Sequence, residues 1–141
     1  MQDLRILAWR ISPERLPTLV VLARRNIWTG QVLCRICGQH EEDEDHLFVS
    51  CEVAQHMWNF LKTYWIGGSR KWRKLIYAVM QVTLWVLWRS RNDLVFNDKQ
   101  IILDRMMNEV KQMGFLWIGS RSTLKEITWE EWCNFDVSSK C

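Results

Sequence analysis

Apolar residues recur at helical spacing along most of the chain. Between residues 4 and 11 they follow the i, i+3, i+4, i+7 pattern of a first helix, which Pro13 and Pro17 end. A second helix is predicted to begin after Thr18, a residue type suited to an N-cap. It should stop at Asn26, because asparagine tolerates the left-handed conformation found at helix ends.

Three longer apolar patterns follow. A third helix is predicted from Cys51 to a break at Gly67-Gly68. A fourth is predicted from a cap at Ser69 through Trp88 and as far as Asn92. A loop near residues 97–98 leads to a fifth helix. The face of the third helix comprises Val53, Met57, Phe60, Leu61 and Tyr64 or Trp65; that of the fifth comprises Ile102, Met106, Val110, Met113 and Trp117.

The fold class that this pattern predicts is mainly α, with about five helices and a small metal-binding hairpin, or knuckle, between the second and third. The length of 141 residues suggests one domain, residues 1–141, with the knuckle at 33–52. Residues 118–141 have weak periodicity and predict a loosely ordered tail, with one short turn or helix at TWEEW.

The knuckle prediction comes from LCRICGQHEEDEDHLFVSC, which holds three of the chain's five cysteines. The spacing Cys34-x2-Cys37-x8-His46-x4-Cys51 supplies the four ligands of a closed, tetrahedral structural zinc site. Thiolates and imidazole select zinc over calcium or magnesium. Gly38 permits the backbone bend that such a turn needs. We therefore expect one structural Zn²⁺.

Two alternatives to zinc stay open from spacing alone. A redox Cys-x-x-Cys pair would not need His46 or Cys51, and the βαβ pattern that usually surrounds it is missing. A catalytic Cys–His pair would leave two cysteines unexplained. On a continuous α-helix, residues five apart point about 140° away from each other, so chelation by His46 and Cys51 predicts a bent or extended linker between them. Cys51 should then lie near the N-cap of the next helix, with Glu52 in its first turn.

The acidic run EEDED lies between the two ligand pairs. Its carboxylates could hold His46 in position, with Asp43 or Asp45 the expected partner. The alternative is a solvated hairpin tip without a further role. His40 is a weak spare ligand, and Cys133 and Cys141 are expected to be free thiols.

Composition and charge narrow the possible functions. A hydrophobic content of 48% with 25% charged residues is ordinary for a globular protein and argues against disorder. The N-terminus does not resemble a secretory signal. The most apolar stretch, residues 75–88, is too short for a membrane span and fits a buried core helix better. We therefore expect an intracellular protein, nuclear or cytoplasmic and not secreted, without a membrane partner. In that reducing environment cysteines more often bind metal than form disulfides.

Residues 53–91 hold seven lysines and arginines and no acidic residue. Such a stretch can face phosphates, although solvated helix faces would explain it as well. RKWRK and WRSR interleave tryptophan with basic residues, as proteins that bind single-stranded nucleic acid do. Trp85 and Trp88 fit a core better. The candidate nucleic-acid-binding residues are Arg70, Lys71, Trp72, Arg73, Lys74, Arg89 and Arg91.

Several motifs occur together in one order: ILAWR, RLPT with LARRNI, CRICG, EDHLFVSCEVAQHMW, LWVLWRSRNDLVF and TWEEWCNF. In this arrangement the chain resembles, from about residue 6 to about residue 135, the zinc-binding region at the C-terminal end of reverse transcriptases from plant LINE-type (non-LTR) retrotransposons. The resemblance implies zinc ligation by the same four residues and binding to RNA or DNA. Two positions depart mildly from that family: Glu52 replaces a frequent proline, and Asn26 a frequent glycine.

The sequence has no paired-aspartate motif of a polymerase palm. We therefore expect a non-catalytic module, related by ancestry to a polymerase. Two non-catalytic functions remain: binding nucleic acid, or docking a polymerase body in trans, or another partner, through a tryptophan-rich surface. The salt dependence of binding distinguishes these two functions. Phosphate-driven binding weakens steeply as the salt concentration rises, whereas binding through an apolar docking surface should not. An enzyme is the third class, and no acid–base pair or activated nucleophile stands out to support it.

Overall fold

The computed structural model describes residues 15–62, 70–121 and 127–133. Within these ranges the chain is mainly helical, as predicted, and no β-strand is present. A metal-binding hairpin precedes the second α-helix. The α-helices, labelled in chain order, are α1 (Leu19–Arg24), α2 (Glu52–Lys62), α3 (Arg70–Asn97), α4 (Leu103–Arg121) and α5 (Trp129–Cys133), and a π-turn spans His46–Ser50. The predicted helix at 4–11 and the break at 67–69 lie outside the described residues.

Both predicted ends of α1 are confirmed. The Thr18 hydroxyl accepts a hydrogen bond from the Val21 backbone N–H at 3.4 Å, which satisfies one of the free donors at the start of the helix. Asn26 has a φ of 56°, the left-handed conformation that stops the helix. Leu16, which precedes the cap, is 1% exposed and anchors this segment in the core.

Helices α3 and α4 form the largest packed unit. The apolar run of α3 is a core helix, as predicted: Val82, Val86 and Leu87 are almost fully buried. Helix α3 continues to Asn97, five residues beyond the furthest predicted end at Asn92. On α4, Met106 and Val110 are buried as predicted, whereas Ile102 lies just before the helix and is 52% exposed. None of the described helices is long and apolar enough to cross a membrane.

Within the described part of the predicted loose tail, residues 118–121 complete α4 and the side chains of Ile118, Ile127 and Trp132 are buried. Ile118 ends the buried face of α4, and Trp132 is 1% exposed. The short helix predicted at TWEEW forms as α5 because Thr128 and Glu131 make a capping box. The Thr128 N–H donates to Glu131 Oε2 at 2.8 Å, and the Glu131 N–H donates to Thr128 Oγ1 at 3.3 Å.

Candidate metal centre

The first ligand pair lies in a short hairpin. Leu33 and Glu41 form an antiparallel bridge, and the Cys34 N–H donates to the His40 carbonyl at 2.7 Å. Inside the hairpin, the Gly38 N–H donates to the Cys34 carbonyl at 2.7 Å, and Gly38 has the positive φ of 69° that its position in the sequence predicted. This turn directs Cys34 and Cys37 toward one point.

The second ligand pair is joined by the π-turn, and the predicted bent or extended linker is therefore wrong. The Cys51 N–H donates to the His46 carbonyl at 2.7 Å, an i→i+5 bond. A π-turn widens the helix by one residue, so that residues five apart lie beside each other instead of diverging. Cys51 itself is extended (φ −60°, ψ 138°) and, as predicted, lies directly before α2, whose first residue is Glu52.

The four donor atoms converge. All lie within 4.8 Å of one another, with Cys37 Sγ 3.2 Å from His46 Nε2 and Cys34 Sγ 4.0 Å from Cys51 Sγ. A tetrahedral zinc ion with Zn–S bonds of about 2.3 Å places two sulfurs roughly 3.8 Å apart, and a sulfur and a nitrogen roughly 3.5 Å apart. The donors therefore fit one zinc ion after their separations change by at most about 1 Å. Four protein ligands complete the tetrahedron, as in a structural site.

The protonation of the donors is set by their mutual contact and by burial. The hydrogen bond from Cys34 lowers the pKa of the Cys51 thiol, and backbone N–H groups of Val53 and Ala54 add to this effect at the start of α2. The same bond to Cys51, together with burial, raises the pKa of Cys34. Burial lowers the pKa of His46, which keeps its imidazole neutral and able to bind metal. Because cysteine binds zinc as a thiolate, zinc binding releases protons from the cysteine ligands and should weaken as the pH falls.

Comparison with protein families supports the same chemistry. Residues 2–58 match a family model described as zinc-binding in reverse transcriptase. The matched segment contains all four ligands, and the model concerns a zinc-binding region and not a catalytic domain. The match confirms this part of the sequence resemblance, while the plant and LINE-type features stay predictions. No curated protein and no solved structure matches the chain.

The imidazole of His46 is oriented by a residue that the sequence reasoning missed. Its Nδ1 lies 3.2 Å from Ser50 Oγ, one turn along the π-turn. The expected carboxylate partner, Asp43, instead accepts the backbone N–H of His46 at 2.7 Å and so caps the turn. Asp45 is exposed. With zinc on Nε2, Nδ1 carries the proton and donates to Ser50.

We therefore expect Ser50→Ala to weaken zinc binding by about tenfold, because the ring loses the hydrogen bond that fixes its tautomer and orientation. Competition with a chromophoric chelator measures the change. Ser50→Thr keeps the hydroxyl and serves as the matched control, with near-native affinity expected. Equal zinc affinities for the alanine and threonine variants would show that this hydrogen bond does not hold the ligand.

Not all of the predicted nucleic-acid-binding residues lie on an accessible surface. Arg73 and Lys74 are exposed near the start of α3, and Arg89 is half exposed and pairs with Glu109. Arg91 is 0% exposed and pairs with Glu42, so its assignment to a phosphate-binding surface is corrected. The side chains of Arg70, Lys71 and Trp72 lie outside the described residues.

The remaining candidates fall largely as predicted. Trp88 is in the core and Trp85 packs against it. His40 is exposed, with its ring edge against His46, and is not in the four-residue cluster. Cys133 is a free thiol, and Cys141 lies outside the described residues.

Proposed function

We propose that the chain is a non-catalytic, intracellular zinc module, nuclear or cytoplasmic, that binds nucleic acid, RNA or DNA. The zinc ion holds the hairpin, the π-turn and the start of α2 together and leaves no coordination position for a substrate. The family description, zinc-binding in reverse transcriptase, associates the matched segment with an enzyme class that acts on nucleic acid. The binding surface is proposed on α3, outside the matched segment.

The observation that carries this proposal is the charge at the start of α3. This 28-residue helix opens with RKWRK and has no acidic residue in its first turn. Cations at a helix N-terminus add to the positive end of the macrodipole and so destabilise the helix. Stability of α3 therefore does not explain these bases. Their combined field attracts anions, and a polyanion engages several of them at once.

An exposed aromatic side chain accompanies the charges. Tyr77, 63% exposed, follows Arg73 by four residues and Lys74 by three, so the three side chains share one helix face. Basic groups beside an exposed ring are the arrangement with which proteins grip single strands: phosphates meet the cations, and a base stacks on the ring. The face therefore favours single-stranded RNA or DNA over a duplex.

Docking of a polymerase body in trans through a tryptophan-rich surface has less support. Among the described tryptophan side chains only Trp129 is prominently exposed, at 43%. Trp88 and Trp132 are buried, and Trp28, Trp58, Trp85 and Trp117 are partly buried. Most of the described indoles thus stabilise the fold and do not form a docking face.

Neutralising the proposed surface tests the function. Arg73→Ala combined with Lys74→Ala should weaken binding to a single-stranded RNA by about tenfold at low salt and reduce the salt slope by roughly 1.5, because two phosphate contacts are lost. Fluorescence anisotropy at several salt concentrations measures both quantities. Tyr77→Ala should weaken single-strand binding more than duplex binding.

The matched control is Lys99→Ala with Arg105→Ala, which removes two exposed charges at the opposite end of the α3–α4 pair. Near-native affinity of the control together with a loss in the first double variant supports the proposed surface. Native RNA affinity in both would exclude it. Binding that does not change with salt would favour an apolar docking function instead.

A further inference from the structure

Glu42 joins the metal-binding hairpin to two other parts of the fold. Its backbone N–H donates to the Val32 carbonyl at 2.8 Å inside the hairpin, and its carbonyl accepts from the Val20 N–H at 3.3 Å. Its carboxylate Oε1 accepts the Leu19 N–H, the first of α1, at 3.0 Å and Arg91 Nε, from α3, at 2.8 Å. One acidic side chain of the EEDED run thus holds α1, the hairpin and α3 together.

The Arg91 side chain also makes its main contacts within this buried pair with Glu42. It contacts Oε1 with both Nε and Nη2, and its guanidinium lies 5.0 Å from the ring centre of Trp88 and 5.8 Å from that of Phe96. Arg91 and Glu42 are both 0% exposed. Removing either partner leaves a buried charge without its counter-ion, which is strongly unfavourable. Glu42 Oε2 is also buried and has no hydrogen-bond partner, so Oε1 makes the bonds that fix this carboxylate.

The position of Glu42 depends on the metal-binding hairpin. Glu42 follows Cys37 by five residues and precedes His46 by four, so it lies between the two ligand pairs. The Glu42 backbone is bonded to Val32 inside the hairpin. The next residue, Asp43, accepts the His46 N–H and so joins Glu42 to the π-turn. A bound zinc ion that fixes both ligand pairs therefore also fixes the backbone that presents the carboxylate to Arg91.

We propose that the Glu42–Arg91 pair couples occupancy of the Cys3His site to the packing of α3, so that the zinc-binding unit extends from the matched segment to Arg91. Bound zinc fixes the hairpin backbone and so keeps the Glu42 carboxylate beside the Arg91 guanidinium. In the other direction, the pairing with Arg91 keeps the hairpin in the geometry that binds zinc. Coupling of this kind is reciprocal: what zinc contributes to the packing of α3, the packing of α3 contributes to zinc affinity. Glu42 and Arg91 are positioning residues, since neither is within the ligand cluster.

The test compares zinc affinity and hydrogen exchange in the full chain. Arg91→Met should weaken zinc binding on the order of tenfold or more. Arg89→Met, two residues away on the same helix, breaks only the partly exposed pair with Glu109 and should leave zinc affinity within about twofold of native. In the native chain, removing zinc should speed amide exchange around Arg91.

Two further variants keep the proposal falsifiable if Arg91→Met folds poorly. Glu42→Met with Arg91→Met leaves no buried unpaired charge and is expected to fold. In that double variant, exchange around residue 91 should no longer respond to zinc. Val110→Ala loosens the core between α3 and α4 without touching the pair, and should change zinc affinity less than Arg91→Met.

Three outcomes would overturn the coupling. The first is native zinc affinity in Arg91→Met, and the second is an equal loss in Val110→Ala. The third is an undiminished response of residue 91 to zinc in the double variant. None of these results depends on whether the chain binds nucleic acid, so the coupling and the proposed function stand or fall separately.

Discussion

Removing zinc should unfold the segment from Val32 to Ala54 and leave the α4–α5 packing largely in place. We expect the metal to hold the hairpin and the π-turn together, because the buried ligands Cys34 and Cys51 come from these two parts of the segment and their donor atoms meet at one point. Structural zinc contributes on the order of 10–16 kcal/mol of apparent binding free energy at neutral pH. Helix α1 should loosen as well, since the Glu42 carboxylate binds its first N–H.

Two cysteine variants, one in the ligand cluster and one outside it, test the same prediction. Cys51→Ser removes a ligand and should abolish stoichiometric zinc in native mass spectrometry. Cys133→Ser removes a thiol outside the cluster and should retain one zinc per chain. Hydrogen exchange of the chelated protein should show fast amides across 32–54 and slower ones near Met106. A chelated chain with native protection throughout would contradict a metal-dependent knuckle.

The ligand set and the helix caps were accessible from sequence because each is a local signal. A Cys-x-x-Cys turn followed by glycine specifies its own geometry, and Gly38 adopts the expected positive φ. Thr18 and Asn26 act at the ends of α1 through bonds to residues within one turn. Such interactions require knowledge of neighbouring residues only, so their prediction does not depend on the rest of the fold.

Two features, the π-turn and the Glu42–Arg91 pair, could not be predicted from the sequence in this way. The sequence HLFVS does not distinguish a π-turn from a bent linker, because the choice is made by the requirement that His46 and Cys51 meet one ion. Glu42 is one of several acids in a row; besides its bond from the Leu19 N–H, it is distinguished by its buried pairing with Arg91, 49 positions away. That contact exists only after α3 has packed against the hairpin. For the same reason, the pattern WRSR indicated a phosphate-binding surface, although Arg91 is buried in the fold.

Trp132→Ala should be the most destabilising single substitution in the part of the fold that does not contain the metal. The indole is 1% exposed, and its Nε1 donates to the Lys111 carbonyl of α4 at 2.7 Å. A Cβ added to Gly114 would lie 2.9 Å from its Cζ2, which shows how closely the ring approaches the α4 backbone. The cavity left by the indole should lower the free energy of unfolding by about 3–5 kcal/mol.

Trp129→Ala provides the control on the same helix. Trp129 is 43% exposed and stacks edge-on against Phe115 with ring centres 5.2 Å apart, so its loss should cost about 1 kcal/mol. Urea unfolding followed by circular dichroism measures both variants. Equal destabilisation would mean that the buried ring contributes no more than the exposed one, which would contradict the prediction. A large loss confined to Trp132 would instead place residues 127–133 in the common core, because a loosely attached tail cannot transmit a cavity of that size to the stability of α3 and α4.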